Sequence, residues 1–133
     1  MGSLIDTSIL IASERGKLDL GAILDELAGA GPVAIAAITG AELLEGVHRA
    51  DVVRRATRSV AVEHVLARFP TIPFDLAIAR RYALLMAERA LIGRPVHAHD
   101  LMIAATALEL DYQVVSRDAR SFPDIAGLKV VMR

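Results

Sequence analysis

Asp6 interrupts an apolar run, with Leu4 and Ile5 before it and Ile9, Leu10 and Ile11 after it. A carboxylate at the end of a strand bound for the core is costly unless it is paired or bound to a metal. Three more acids fall at comparable places: Glu42 in Thr39-Gly-Ala-Glu42, Asp100 in His99-Asp100-Leu-Met-Ile-Ala-Ala-Thr-Ala, and Asp118 in Val115-Ser-Arg-Asp118. Each has a local use. Asp-Thr-Ser at 6–8 suits a helix cap, Thr39 and Glu42 have the spacing of a capping box, Asp100 can cap its own helix, and Asp118 with Ser116 can begin a turn. Their joint placement favours a site. Asp6 and Asp118 come at the carboxyl ends of expected strands, and Glu42 and Asp100 in the expected first turns of helices. A parallel α/β sheet brings all four to one edge. Converging carboxylates repel, by roughly 4 kcal/mol per pair at ~4 Å and an effective dielectric of about 20. A divalent cation relieves that repulsion, and carboxylate oxygens suit Mg²⁺ or Mn²⁺ with positions left for water and a phosphate oxygen. First-turn helix dipoles favour negative charge at Glu42 and Asp100. The chemistry expected of such a site is metal-assisted hydrolysis of a phosphodiester.

The elements that must position these acids are legible from periodicity and breakers. Residues 4–6 read as a short strand leading into a turn and helix, and 18–30 as a helix ended by Gly31-Pro32. The continuously apolar 33–38 (VAIAAI) reads as a strand covered on both faces, after which Thr39 opens a helix. Helices are expected over 51–69 and 75–92, separated by Pro70-Thr-Ile-Pro73, in which 71–72 makes a brief strand. Gly93 and Pro95 stop the second of them. From Asp100 runs a helix apolar on nearly every side, hence central. Strands at 113–116 and 128–132 close the pattern. This alternation predicts an α/β fold: a single domain over 1–133, built as a three-layer α/β/α sandwich on a short-stranded, mostly parallel sheet.

Composition narrows the classes. Hydrophobic residues make up 54% of the chain, yet a charged residue breaks every apolar stretch before it reaches membrane-spanning length. The excess apolar surface implies a dimer or a bound partner. The absence of cysteine excludes disulfides and thiolate metal sites and fits a cytoplasmic location. A net charge of -1 argues against a uniformly basic nucleic-acid binder but permits segregated charge. Arg49, Arg54, Arg55 and Arg58 cluster near the start of one helix and are candidate RNA-phosphate contacts, with a solvated helix face the plainer alternative. His97 and His99 flank Asp100 without forming a recognised ligand pattern. Met86 and Met102 read as core, and Phe74 and Tyr82 are too few for a base-stacking platform.

Taken in order, Leu4-Ile-Asp-Thr-Ser-Ile-Leu, Thr39-Gly-Ala-Glu42-Leu43, His99-Asp100-Leu-Met-Ile-Ala-Ala-Thr-Ala and Val115-Ser-Arg-Asp118 resemble the PIN-domain ribonucleases, specifically the VapC-type toxins. The resemblance covers essentially the whole chain. It implies a Mg²⁺-dependent endoribonuclease that cuts structured RNA, forms a homodimer and is silenced by a cognate VapB-type antitoxin. It places Asp6, Glu42, Asp100 and Asp118 in the family's acidic quartet, with Asp6, Asp100 and Asp118 as metal ligands and Thr7 and Ser116 in the flanking hydroxyl positions. One departure is Ser121 before Phe122, where many relatives carry an acid, which bears on a second metal position. Two other readings are a PIN-like module that holds RNA or protein without cutting, and a metal-dependent DNA nuclease. Between the two acids of the tail, Asp118 is expected at the site and Asp124, beyond Pro123, in solvent or capping a turn.

Overall fold

The computed structural model describes residues 1–133. Strand β1 (Ser3–Ile5) leads at once into α1 (Thr7–Glu14), followed by α2 (Leu20–Ala28), β2 (Val33–Ala36), α3 (Ala37–Arg49) and α4 (Val52–Arg68). Then come β3 (Thr71–Ile72), α5 (Leu76–Leu91), α6 (Ala98–Leu110), β4 (Gln113–Ser116), a 3-10 turn (Ala119–Ser121) and β5 (Val130–Met132). The five strands form one sheet in the order β3-β2-β1-β4-β5, and every pairing is parallel. The α/β/α sandwich expected from the sequence is therefore present, with a sheet parallel throughout.

Alternating side chains divide the core into two layers. Leu4, Ala34 and Val114 face one side, where α5 supplies Ile78 and Leu85 and α6 supplies Leu101, Ile103 and Ala104. Ile5, Ile35 and Val115 face the other, against Ile9 of α1, Ile23 of α2, Leu43 of α3 and Val62 of α4. β1 lies at the centre, so whatever follows it emerges in the middle of the sheet's carboxyl edge. No helix is long and apolar enough to cross a membrane.

Three helices are capped by an aspartate, two of them where the sequence places a helix start and the third, at Asp19, one residue inside the expected 18–30 helix. Asp19, Asp51 and Asp75 accept from the backbone N–H of Ala22 (3.1 Å), Arg54 (2.9 Å) and Ile78 (2.9 Å). Several boundaries differ from expectation, among them β1 at 3–5 rather than 4–6, α2 at 20–28 rather than 18–30 and β5 at 130–132 rather than 128–132, and those beside the acids matter most. β2 stops at Ala36, and α3 starts at Ala37 rather than Thr39. Alanine costs little in a helix, so Ala36-Ala37 is an easy pivot, and the turn back over the sheet decides where it falls. Thr39 is consequently a fully buried residue inside the first turn, and the Thr39–Glu42 capping box does not form. α6 likewise starts at Ala98 with His97 at its cap, so Asp100 lies inside the first turn and is not the cap.

Arg89, near the end of α5, is 5% exposed and faces no carboxylate. Its Nε donates to the Arg94 carbonyl (2.7 Å) and its Nη1 to the Asp124 carbonyl (3.4 Å), while Nη2 is buried without a partner. It ties together the loop before α6 and the loop before β5. Arg89→Ala removes both bonds and leaves a void, which should lower stability by roughly 2–4 kcal/mol. Exposed Arg55→Ala should stay within about 0.5 kcal/mol; urea denaturation of the two variants checks both.

Candidate active site

β1 ends at Ile5, and the Asp6 N–H still completes the sheet by donating to the Val115 carbonyl at 2.9 Å. Asp6 stands at the cap position of α1 but makes no side-chain cap bond. Its carboxylate, on a residue only 4% exposed, instead accepts from two hydroxyls on the same oxygen: Ser8 Oγ at 2.7 Å and Ser116 Oγ at 2.8 Å from Oδ2. Each hydroxyl is itself fixed by a backbone N–H of the segment after β4. Arg117 N donates to Ser8 Oγ (3.0 Å) and Asp118 N to Ser116 Oγ (3.0 Å). No protein donor reaches Asp6 Oδ1, and no cationic side chain pairs with the residue. The helix-cap reading of Asp6 is thus set aside by where its oxygens point.

Glu42 projects from the second turn of α3, one turn deeper than expected and beyond the strongest part of the helix dipole. Thr7 Oγ1 donates to Glu42 Oε1 at 2.9 Å and lies 3.3 Å from Thr39 Oγ1. Across the edge, His99 Nδ1 stands 3.7 Å from Glu42 Oε2. The ring of His99 packs edge-on against His97, whose Nδ1 accepts from the His99 N–H at 3.3 Å.

Asp100 carries the clearest electrostatic signature. Burial raises its pKa above the ordinary 3.8, the charge of Asp6 raises it further, and Glu42 adds to the same effect, against the opposing pull of His97 and the Ser121 hydroxyl. Asp6 and Glu42 therefore both act on Asp100 at the sheet's carboxyl edge. Asp118 is the exception to the expected convergence. Its Oδ1 accepts from Arg120 N at 3.0 Å and Arg120 Nε at 3.2 Å, capping the 3-10 turn. Those bonds, the backbone one foremost, hold its carboxyl below the usual range. It shares with Asp100 an open depression of about 330 Å³, walled by His97, Arg120, Ser121 and Pro123. Asp124 points away as expected, paired with Arg94 at 3.1 Å and with a side chain 72% exposed.

The donor set is carboxylate and hydroxyl oxygen around two acids, Asp6 and Asp100, that no cationic side chain pairs. In kind it fits a hard divalent cation. With the side chains as they stand, no three acids and histidines are close enough to hold one ion. Sequence reasoning credited Thr7 and Ser116 but overlooked Ser8, which binds the same Asp6 oxygen. The available signal was its place two residues after the acid, where a first-turn hydroxyl can fold back. The arginines fare differently. Arg49 pairs with Glu45, Arg54 with Asp51 and Arg58 with Glu14, while Arg55 gives a guanidinium N–H to the Ala50 carbonyl.

Residues 3–128 match the PIN domain family. The chain is 33% identical over 132 residues to Ribonuclease VapC1 of Rickettsia felis, covering 98% of this chain and 96% of that protein. Among solved structures it resembles VapBC-5 of Mycobacterium tuberculosis, a member of the VapBC family of toxin-antitoxin systems, with 32% identity, a TM-score of 0.78 and coverage of 99% and 98%. The fold is also that of VapBC2 from Rickettsia felis, with a TM-score of 0.91 at 24% identity over 100% of this chain and 99% of that one.

The two opposite shifts predict opposite behaviour. Asp100's native pKa lies above its unfolded value near 3.8, so the native state binds the extra proton. Its ionised form therefore subtracts stability at neutral pH, a loss relieved as pH falls through the raised value. Asp100→Asn should raise the metal-free melting temperature at pH 7 by a few degrees, on the order of 1–4 °C. Asp118→Asn should leave it equal or lower, because a lowered pKa marks a carboxylate whose charge the fold favours above pH 3.8. Melting curves in EDTA at pH 4 and pH 7 test both, the Asp100→Asn gain shrinking at the lower pH.

Proposed function

The chain belongs to the PIN-domain family, among its VapC ribonucleases, and from that premise we propose a Mg²⁺-dependent endoribonuclease, the toxin of a toxin–antitoxin pair, that hydrolyses structured RNA. The observation that carries this reading is Asp6: an acid at the end of the central strand, 4% exposed, bonded by two hydroxyls on one oxygen and matched by no cation. A fold gains nothing structural from leaving such a carboxylate beside Asp100 and Glu42. Asp6 and Asp100 are the residues that would hold the ion, joined by Asp118 once its Oδ1 exchanges its bonds to Arg120 for the metal. A Mg²⁺ or Mn²⁺ ion held there would supply an activated water and neutralise charge on the phosphate. Ser8 and Ser116 fix the rotamer of Asp6 and keep Oδ1 available. Thr7 orients Glu42, the fourth acid, toward the same edge.

The partner follows from the same premise. The Mycobacterium tuberculosis relative was solved as a VapBC system, which supports a VapB-type antitoxin for this chain. An arginine from it would match the unpaired carboxylates, since a planar guanidinium donates two parallel N–H bonds to one carboxylate and supplies the missing positive charge. A homodimer is supported by Leu76, Leu84, Leu91 and Ile92, which α5 and its end leave exposed.

Purified protein with Mg²⁺ or Mn²⁺ should cut structured RNA and stop cutting in EDTA, whereas cutting that persists in EDTA overturns the mechanism. Equal cutting of DNA would favour a DNA nuclease, and binding without cutting a non-catalytic module. Asp6→Asn and Asp100→Asn should each lose at least ~100-fold in rate while remaining folded. Calorimetry with Mn²⁺ should show weaker binding for Asp118→Asn and none of that effect for Asp124→Asn. In cells, expression alone should arrest growth, and co-expression of the antitoxin should restore it.

A further inference from the structure

A second depression of about 330 Å³ adjoins Asp6, lined by Ser8, Ile11, Ala12, Arg15, Lys17 and Arg117. Its polar wall is joined to the buried acid: Arg117 N donates to Ser8 Oγ at 3.0 Å, and Ser8 Oγ donates to Asp6 Oδ2 at 2.7 Å. Its three cations are all exposed. None is matched by a carboxylate, unlike Arg49, Arg54, Arg58 and Arg120. Arg117 Nη1 lies 3.5 Å from the Lys17 carbonyl, which brings the segment after β4 against the turn after α1 and gathers charge from two distant stretches of chain. Arg15 also lines the adjoining groove that contains Glu42 and Arg58, so it stands where the acidic edge and the basic depression meet.

We propose that the Ser8–Arg15–Lys17–Arg117 depression is the docking track for the RNA backbone, binding the phosphates next to the one presented to Asp6. The proposal rests on the ribonuclease reading and names the side from which the substrate reaches that site. Three uncompensated cations beside a carboxylate cluster have no partner within the chain. A polyanion laid across the edge supplies one, because neutralising phosphates releases condensed counterions and gains free energy without reading sequence. An acidic protein segment has the same sign of charge but no scissile phosphate, the group that a cation held by the adjoining carboxylates would accept. Of the sequence-derived candidates, Arg49, Arg54 and Arg58 are paired with neighbouring carboxylates, and Arg55, which gives an N–H to the Ala50 carbonyl, stands alone and outside the depression, so they are the weaker choice.

The test is fluorescence anisotropy with a labelled structured RNA in EDTA, so that nothing is cut, over a range of salt. It compares the native chain, the triple variant Arg15→Gln, Lys17→Gln, Arg117→Gln, and a charge-matched control, Arg68→Gln, Arg80→Gln, Lys129→Gln. The triple variant should weaken binding at least about tenfold and flatten the slope of log K against log salt by about two to three. The control should keep the native slope. In Mn²⁺ the triple variant should raise KM with little change in kcat, and calorimetric Mn²⁺ affinity should be unchanged. If the native chain cuts RNA and the triple variant binds it with the native slope, the docking track is wrong and the ribonuclease reading survives. If the triple variant instead loses only antitoxin binding, the depression is a protein interface, which overturns the proposal. A native chain that neither binds nor cuts RNA overturns both readings.

Discussion

The carboxylate of Asp6 is the constraint around which this molecule is arranged. It must leave the centre of a parallel sheet, where β1 is covered on both faces, and the structure stabilises it with two serine hydroxyls on one oxygen. Those hydroxyls come from α1 and β4, so the acid is held only if the sheet has closed with β4 beside β1. The backbone N–H groups of Arg117 and Asp118 then fix the hydroxyls in turn. Substituting a cation for this network would satisfy the charge fully and leave nothing for a substrate or metal. Hydroxyls hold the geometry while leaving most of the electrostatic demand unmet.

From that centre the other acids are placed by ordinary fold mechanics. Parallel strands send each chain direction to the same edge, and the helices that follow start there. α3 brings Glu42 from the second strand's side and α6 brings Asp100 from the opposite layer. Burial first, and then the charges of Asp6 and Glu42, hold the Asp100 carboxyl above its ordinary range. Arg89 contributes from behind: by gripping the Arg94 and Asp124 carbonyls it fixes the two loops that wall the Asp100–Asp118 depression. Buried guanidinium is an expensive way to do this, and the unpartnered Nη2 shows that the bonds are incomplete.

Charge on the surface is sorted in the same fashion. With a net charge of -1 the chain has no global attraction for a polyanion. Charge is instead sorted locally: Arg49, Arg54 and Arg58 pair with neighbouring carboxylates, while Arg15, Lys17 and Arg117 are left unmatched beside the site. Asp118 is the acid that ties the two regimes together, since Arg120 holds it on the site's rim.

The sequence by itself determined the alternation of elements, the apolar strands covered on both faces and the helices that begin near 51 and 75. These are local properties, readable because periodicity, breakers and short polar caps act within a few residues. The strand at 113–116 and the brief one at 71–72 were legible for that reason. What only the tertiary structure decided is the partner of each charged or polar group. Thr39 reads as a cap from its spacing to Glu42, but α3 begins two residues earlier and buries it. Ser8 reads as part of a helix start, but its hydroxyl belongs to Asp6 and to the Arg117 N–H, 109 residues away. Arg54 and Arg58 read as free cations and are paired, whereas Arg15 and Arg117 go unnoticed and are free. Pairing depends on which side chains the closed sheet and its loops bring within about 3 Å of each other, and no pattern along the chain contains that distance.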